Sequence, residues 1–277
     1  MRARLFSVVI LLPIVLVLLL LGGWFYRLFI AALVVIGAFE YRGMLRESHP
    51  RASGVLVALA GLTWHVDVWL GDRQIQALAF AGAVLLTTVW ALYRYRAAAS
   101  STSNETASMT VAWALVLAGG IYLGVGSSYL LRLRALPLGA GWTLITLFLV
   151  WIGDTAAYFV GRAWGDHKIA PAISPGKSWE GYAAQITSSM LSGGAMVALW
   201  SLVARTSVGV EVWQGVALGA LVSVFCPFGD FFISMIKREA GVKDTSRLIP
   251  GHGGVLDRLD TPLWAGILAF VFLTLVG

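Results

Sequence analysis

Charge is scarce in this chain. Asp, Glu, Lys and Arg make up 12% of its 277 residues, against about a quarter in an ordinary soluble domain. A water-soluble globule of this length is therefore excluded. Cysteine is nearly absent as well. Cys226 stands alone, so no internal disulfide can form, and chemistry facing a reducing compartment is expected. Four scattered histidines, His49, His65, His167 and His252, cannot build a structural zinc site with one cysteine. No internal repeat is visible, so an inverted-repeat transporter gains no support.

Apolar residues are abundant instead. They form 58% of the chain, and mean hydropathy is +0.81. They gather into nine runs, near 5–21, 24–41, 53–71, 75–93, 111–131, 141–161, 182–204, 212–236 and 262–276. Most approach the ~20 residues that cross a hydrocarbon core. None alternates in polarity as a barrel strand would, and irregular backbone cannot face lipid. The expected fold is all-α, a polytopic membrane protein of about nine transmembrane helices. The first run follows Arg2 and Arg4, lacks a small-residue cleavage site and leads at once into another span, so it reads as a retained helix. Two regions are expected: residues 1–135 with about five spans, and 136–277 with about four and the cytoplasmic loops 165–181 and 237–260. Residues 97–109, small and polar, read as a loop without function.

Basic residues orient the spans. With the amino terminus in the cytoplasm, Arg2, Arg4, Arg42, Arg46, Arg51, Arg94, Arg96, Arg162, Lys168, Lys177, Lys237, Arg238, Lys243, Arg247 and Arg258 fall on the cytoplasmic side. Only Arg27, Arg73, Arg132, Arg134 and Arg205 fall opposite. This bias places Ser234–Asp260 on the cytoplasmic side, and the expected location is the inner (cytoplasmic) membrane with the active site facing the cytoplasm. The pI near 9.7 then reflects contact with anionic lipid, with no nucleic acid required.

One polar stretch breaks the apolar pattern. Ser234–Asp260 holds Lys237, Arg238, Lys243, Arg247, Arg258, Glu239, Asp244, Asp257 and Asp260. Acids among cations and glycines suit a site for divalent metal and phosphate. Ahead of it, Asp230, Ser234 and Lys237 share one helical face, and Pro227 and Gly229 can open that helix. An acid in the bilayer costs about 3 kcal/mol on insertion scales, so Asp154 and Asp230 need a partner, a metal or a cavity. A structural hydrogen-bonding role competes for both, and more strongly for Glu40 and Asp67 near span ends. Asp257 follows Gly251-His252-Gly253-Gly254, a turn able to offer amide N–H groups to phosphate. Asp260 serves equally well as a helix-start anion. Gly176-Lys177-Ser178 is not a P-loop, because Pro171 replaces the first glycine, no strand is expected before it and no second acid follows. The chain also lacks G-x-S-x-G, H-E-x-x-H and the D-G-x-x-A-R run of CDP-alcohol phosphotransferases.

Ser234, Lys237, Arg238, Lys243, Asp244, Pro250, His252, Gly253, Gly254, Asp257, Arg258 and Asp260 stand in register with the signature of the phosphatidate cytidylyltransferases (CDP-diacylglycerol synthases), which the stretch closely resembles. Asp154-Thr-Ala-Ala-Tyr158 with Gly161, and Ser174-Pro-Gly-Lys-Ser-Trp-Glu-Gly181, are similar to two further family motifs. Many relatives place Glu before the signature serine, where this chain has Ile233. Glu40 looks like a recurrent family acid of unclear role. The resemblance implies CMP transfer from CTP to phosphatidic acid with release of pyrophosphate, dependent on Mg²⁺.

On that footing Asp230 and Asp257, with Asp154, are the expected metal ligands. Asp230, Asp257, Lys237 and Asp260 are expected to be catalytic, with the acids of the last two long spans converging on one cation site. Ser174, Lys177, Ser178, Ser234, Arg238, Lys243, Arg247 and His252 are expected to bind substrate. Membrane lipids are expected partners, and a homodimer is compatible with the sequence. An ion or solute transporter, or a lipid or polyprenol kinase, are the rival readings.

Overall fold

In lipid an apolar run can satisfy its backbone only within itself, and the chain accordingly forms helices. The computed structural model describes residues 2–99, 108–204, 210–251 and 253–276. Its helices are α1 (Arg2–Leu21), α2 (Gly23–Met44), α3 (Gly54–Leu62), α4 (Val66–Leu70), α5 (Arg73–Ala99), α6 (Ser108–Ala135), α7 (Gly139–Trp164), α8 (Trp179–Ala204), α9 (Val212–Phe225), α10 (Pro227–Glu239) and α11 (Leu256–Val276). Among the described residues, seven helical stretches are long and apolar enough to cross a membrane, α9 and α10 together counting as one. Two more apolar stretches, Val9–Leu21 and Gly54–Leu70, are shorter. The chain is a mostly helical, multi-pass membrane protein.

Two departures from a purely helical reading have local causes. The run 53–71 is interrupted by a 3₁₀ turn, Thr63–His65, between α3 and α4. In the loop between α7 and α8, β1 (Lys168–Ala170) pairs antiparallel with β2 (Ser174–Ser178). Pro175 and Gly176 oppose helix there, and the chain turns back on itself at Pro171–Ile173, where the Ile173 amide donates to the Ala170 carbonyl at 3.1 Å. A strand therefore does precede Gly176, but Gly176-Lys177-Ser178 lies inside β2 itself rather than in a loop following a strand.

The chain divides into two compact units. The first comprises Met1–Arg132 and Glu239–Arg258, the second Leu133–Arg238 and Leu259–Gly277. Small residues bring helices together in each. In the first, a side chain at Gly124 would run into the Gly61 carbonyl, and one at Gly120 would lie 2.6 Å from the Ala60 Cβ. Close small-residue contacts of this kind are how helices pack in lipid, where no hydrophobic drive separates helix from solvent. Asp67 pairs with Arg132 at 2.7 Å, and buried His65 hydrogen-bonds Ser127 at 2.8 Å. The structural reading of Asp67 is therefore the one the geometry supports.

In the second unit α7, α8 and α9 pack side by side. Gly193 and Gly215 face each other so closely that neither has room for a Cβ. Leu149, Val197, Leu218 and Val222 fill the core. The Tyr182 hydroxyl donates to the Val224 carbonyl at 2.8 Å, near the break at Cys226 that separates α9 from α10.

Candidate active site

Pro227 starts α10, a position where its missing N–H costs nothing. That restart sets Asp230 in the first turn and Ser234 one turn later. The Ser234 hydroxyl donates to Asp230 Oδ1 at 3.3 Å, as the i, i+4 spacing requires. Asp230 Oδ2 receives the ammonium of Lys177 at 2.6 Å. Both side chains remain about 30% open, at 28% and 31%. The same ammonium lies 4.2 Å from the centre of the Phe231 ring, a cation–π contact that holds it in place. Lys237 adds a second positive charge to the surroundings of Asp230.

The hairpin explains how a loop lysine is aimed this well. Its strands pair Lys168 with Ser178 and Ala170 with Ser174, with a bulge between the two pairs, and the Trp179 amide donates to the His167 carbonyl at 2.9 Å. Ser178 is buried and its hydroxyl accepts the Gly181 amide at 3.2 Å, capping α8. Ser174 opens β2. Arg238 donates through Nε to the Ile173 carbonyl at 3.3 Å, tying the end of α10 to the hairpin turn. At the hairpin base, His167 Nδ1 meets Glu180 Oε1. That hydrogen bond, reinforced by the negative charges of Glu180 and Asp166, raises the His167 pKa above its usual 6.5.

Two more acids belong to this unit. Asp154 is exposed, and Gln185 donates its amide to Asp154 Oδ1 at 3.2 Å. Asp260 is buried, and its Oδ1 accepts the Thr261 amide at 2.7 Å. The Asp260 carbonyl would lie 2.6 Å from any Cβ on Gly229. Gly229 therefore allows this turn of α11 to sit directly against the start of α10, beside Asp230.

In the first unit the signature loop is knotted around two carboxylates. Buried Glu40 accepts the Ser246 hydroxyl at 2.6 Å, the Val255 amide at 2.9 Å and the Leu256 amide at 2.8 Å. Asp257 Oδ2 accepts the amides of Thr245 and Gly254, both at 2.9 Å. The Thr245 hydroxyl lies 3.1 Å from Glu40 and 2.9 Å from Asp257, and its single proton serves one acid at a time. Amides opening a helix attract anions, and here the protein's own acids take them. Gly254 thus gives its N–H to Asp257, an internal partner that the glycine turn did not suggest. Gly253 has φ +78, and a Cβ there would strike Asp257 Oδ2 at 2.6 Å, so glycine is required on both counts.

The structure therefore brings Lys177, Asp230 and Ser234 together in one unit and anchors Asp257 in the other. Lys243 and Arg247 are exposed on the signature loop, and His252 lies outside the described residues. Thr245, Ser246 and Gln185 escaped the sequence reading, and the only signal was their position beside or between the recognised acids. Among the described residues no group of three or more His, Cys, Asp or Glu could hold a metal. Magnesium commonly takes only one or two protein carboxylates, with water and substrate phosphate completing the shell. Asp230 and Ser234 are adjacent hard oxygen donors of that kind, and their chemistry fits.

At the start of α10 an acid and a hydroxyl thus meet a lysine carried by the hairpin. The match to the model of the cytidylyltransferase family runs over residues 2–276, and the chain belongs to that family. It is 34% identical over 295 residues to the phosphatidate cytidylyltransferase of Pseudomonas aeruginosa, covering 97% of each chain. It is also 30% identical to that of Staphylococcus saprophyticus, covering 94% of each. To that of Mycobacterium bovis it is 31% identical, over 89% of this chain and 79% of the relative.

Proposed function

We propose that this chain transfers CMP from CTP to phosphatidate, giving CDP-diacylglycerol and pyrophosphate. The observation that carries the proposal is the Lys177–Asp230 contact flanked by Ser234. Two separate motifs of the sequence meet there, in a chain belonging to the cytidylyltransferase family. A phosphate oxygen of phosphatidate attacks the α-phosphorus of CTP in line. The bond from that phosphorus to the β-phosphate bridging oxygen breaks, and the electron pair leaves with pyrophosphate. Such transfer relies on positioning and charge neutralisation, with no need for a protein nucleophile.

Lys177, Lys237 and Arg238 are the cations proposed to hold the phosphates, with Ser174 donating a hydrogen bond. Lys243, Arg247 and His252 of the signature loop are assigned the same class of role. Asp230, Asp257 and Asp154 are the carboxylates proposed for Mg²⁺, with Asp260 in support. Bound magnesium would neutralise charge developing on the phosphate oxygens. Nine spans, a cytoplasmic amino terminus, an inner-membrane location with the site on its cytoplasmic side, and a homodimer complete the proposal. The basic-residue bias supports the orientation.

The test is incubation of the purified chain with labelled CTP, phosphatidate and Mg²⁺ in detergent. Phosphatidate-dependent CDP-diacylglycerol and pyrophosphate are expected. Release of nucleoside diphosphate would replace the proposal with a kinase, and absence of CTP consumption would overturn it.

A further inference from the structure

Helices α2, α3 and α5 of the first unit and the loop after α2 border an open cavity of about 560 Å³ that the transfer reaction leaves without a role. The end of α2 lines it with Phe39 and Arg42, the following loop with Arg46 and Arg51, and α5 with Trp90 and Arg94. Four arginines line it, and no acidic side chain is among the described residues lining the cavity.

Two general effects place arginines near helix ends, and neither accounts for this arrangement. The bias toward basic cytoplasmic loops brings arginines to one face of a membrane but does not aim them into a shared cavity. The helix dipole favours cations within the last turn only. That covers Arg42 in α2 and Arg96 in α5, not Arg46 or Arg94. The cavity is also shaped by specific contacts. Arg42 donates to the Pro50 carbonyl at 3.2 Å, which fixes its direction. A Cβ on Gly54 would press within 3.0 Å of the Phe39 ring and 3.3 Å of the Arg42 Cβ, so the start of α3 packs tightly on α2 at this point.

The lining is amphipathic. On α2 Phe39 precedes Arg42 by three residues, and on α5 Trp90 precedes Arg94 by four, so each aromatic lies one turn from its arginine on the same face. Phe39 is 50% exposed, and on α5 Val89 and Leu92 are 63% and 64% exposed. A free phosphate would use only the arginines, whereas a phospholipid would use the apolar surface as well. We propose that this cavity binds the phosphate of an anionic phospholipid headgroup through Arg42, Arg46 and Arg94, with the acyl chains along the exposed face of α5. Guanidinium suits this, because its fork of N–H donors matches phosphate oxygens in pairs. The proposal does not depend on the CMP-transfer reading.

The test uses the purified full chain and native mass spectrometry, with phosphatidylglycerol, phosphatidylcholine and inorganic phosphate offered separately. Phosphatidylglycerol should be retained over phosphatidylcholine, and R46Q/R94Q should lower its retention roughly tenfold or more. Both arginines are exposed, so folding is not at stake. Arg96→Gln, outside the cavity, should leave retention unchanged. Equal loss in R96Q would reduce the effect to general surface charge and overturn the site. So would undiminished retention in R46Q/R94Q. Inorganic phosphate retained as well as the lipid, and lost equally in R46Q/R94Q, would overturn the lipid assignment and leave a free-anion site.

Discussion

The carboxylate of Glu40 accepts the main-chain N–H of Leu256 at 2.8 Å, joining positions 216 residues apart. Together with Val255 and Ser246, this gives one buried acid three donors from the signature loop, with the Thr245 hydroxyl shared between it and Asp257. Leaving a buried charged-group hydrogen bond unmade costs about 1.5–3 kcal/mol. Glu40→Gln brings an NH₂ among groups that all donate. It should lower the Tm in detergent and raise hydrogen exchange over residues 245–256. Exchange in that stretch indistinguishable from the parent would remove Glu40 as the anchor.

Lys177 and Asp230 should prove energetically coupled. Lys177→Ala and Asp230→Asn are each expected to reduce CMP transfer by roughly 10²-fold or more. If the pair acts as one element, the double variant should be little worse than the worse single. Strictly multiplicative losses in kcat/KM would mean that the two act separately.

Asp257 and Asp260 should separate in their effects. Asp257→Asn puts an amide where three donors of Thr245 and Gly254 now converge, and transfer should be abolished while the protein stays extractable. Asp260 Oδ1 accepts the Thr261 amide, and Asp260→Asn keeps an oxygen acceptor there. Its loss of turnover should be the smaller of the two. Near-normal turnover in Asp257→Asn would take that residue out of the catalytic proposal.

The base of the hairpin should loosen as pH rises. The folded His167 pKa lies above the unfolded value near 6.5 and the Glu180 pKa below its usual 4.5, so the pair stabilises fully between about 4.5 and 6.5. That contribution is lost as pH climbs through the raised folded value. Exchange of the Trp179 amide, corrected for intrinsic rate, should report the change. His167→Gln should flatten the profile, and a flat profile in the parent protein would dismiss the pair as a pH-sensitive contact.

How far the sequence reaches can be judged from particular residues. Asp230 and Ser234 were legible as neighbours because helical spacing dictates it. The break before α10 was legible in Pro227. The Lys177–Asp230 contact was not, because it depends on a hairpin whose Pro175 and Gly176 carry no strand periodicity. Glu40 was visible as an acid near a span end, yet its donors come from the other end of the chain, and no local pattern points to them. The arginine cavity escaped for a similar reason. Its cations are contributed by two helices and a loop, and in the sequence they look like ordinary flanking charges.

The kinship of Glu239–Arg258 with the amino-terminal unit has a practical corollary for anyone dissecting this enzyme by truncation. A piece starting at Leu133 would contain the whole recognisable motif and look self-sufficient on paper. It would lack Glu40, so Ser246, Val255 and Leu256 would lose their shared acceptor and the loop its mooring. Supplying residues 1–132 as a separate polypeptide is then the natural rescue, and the half with no recognisable motif becomes the one that restores shape to the other.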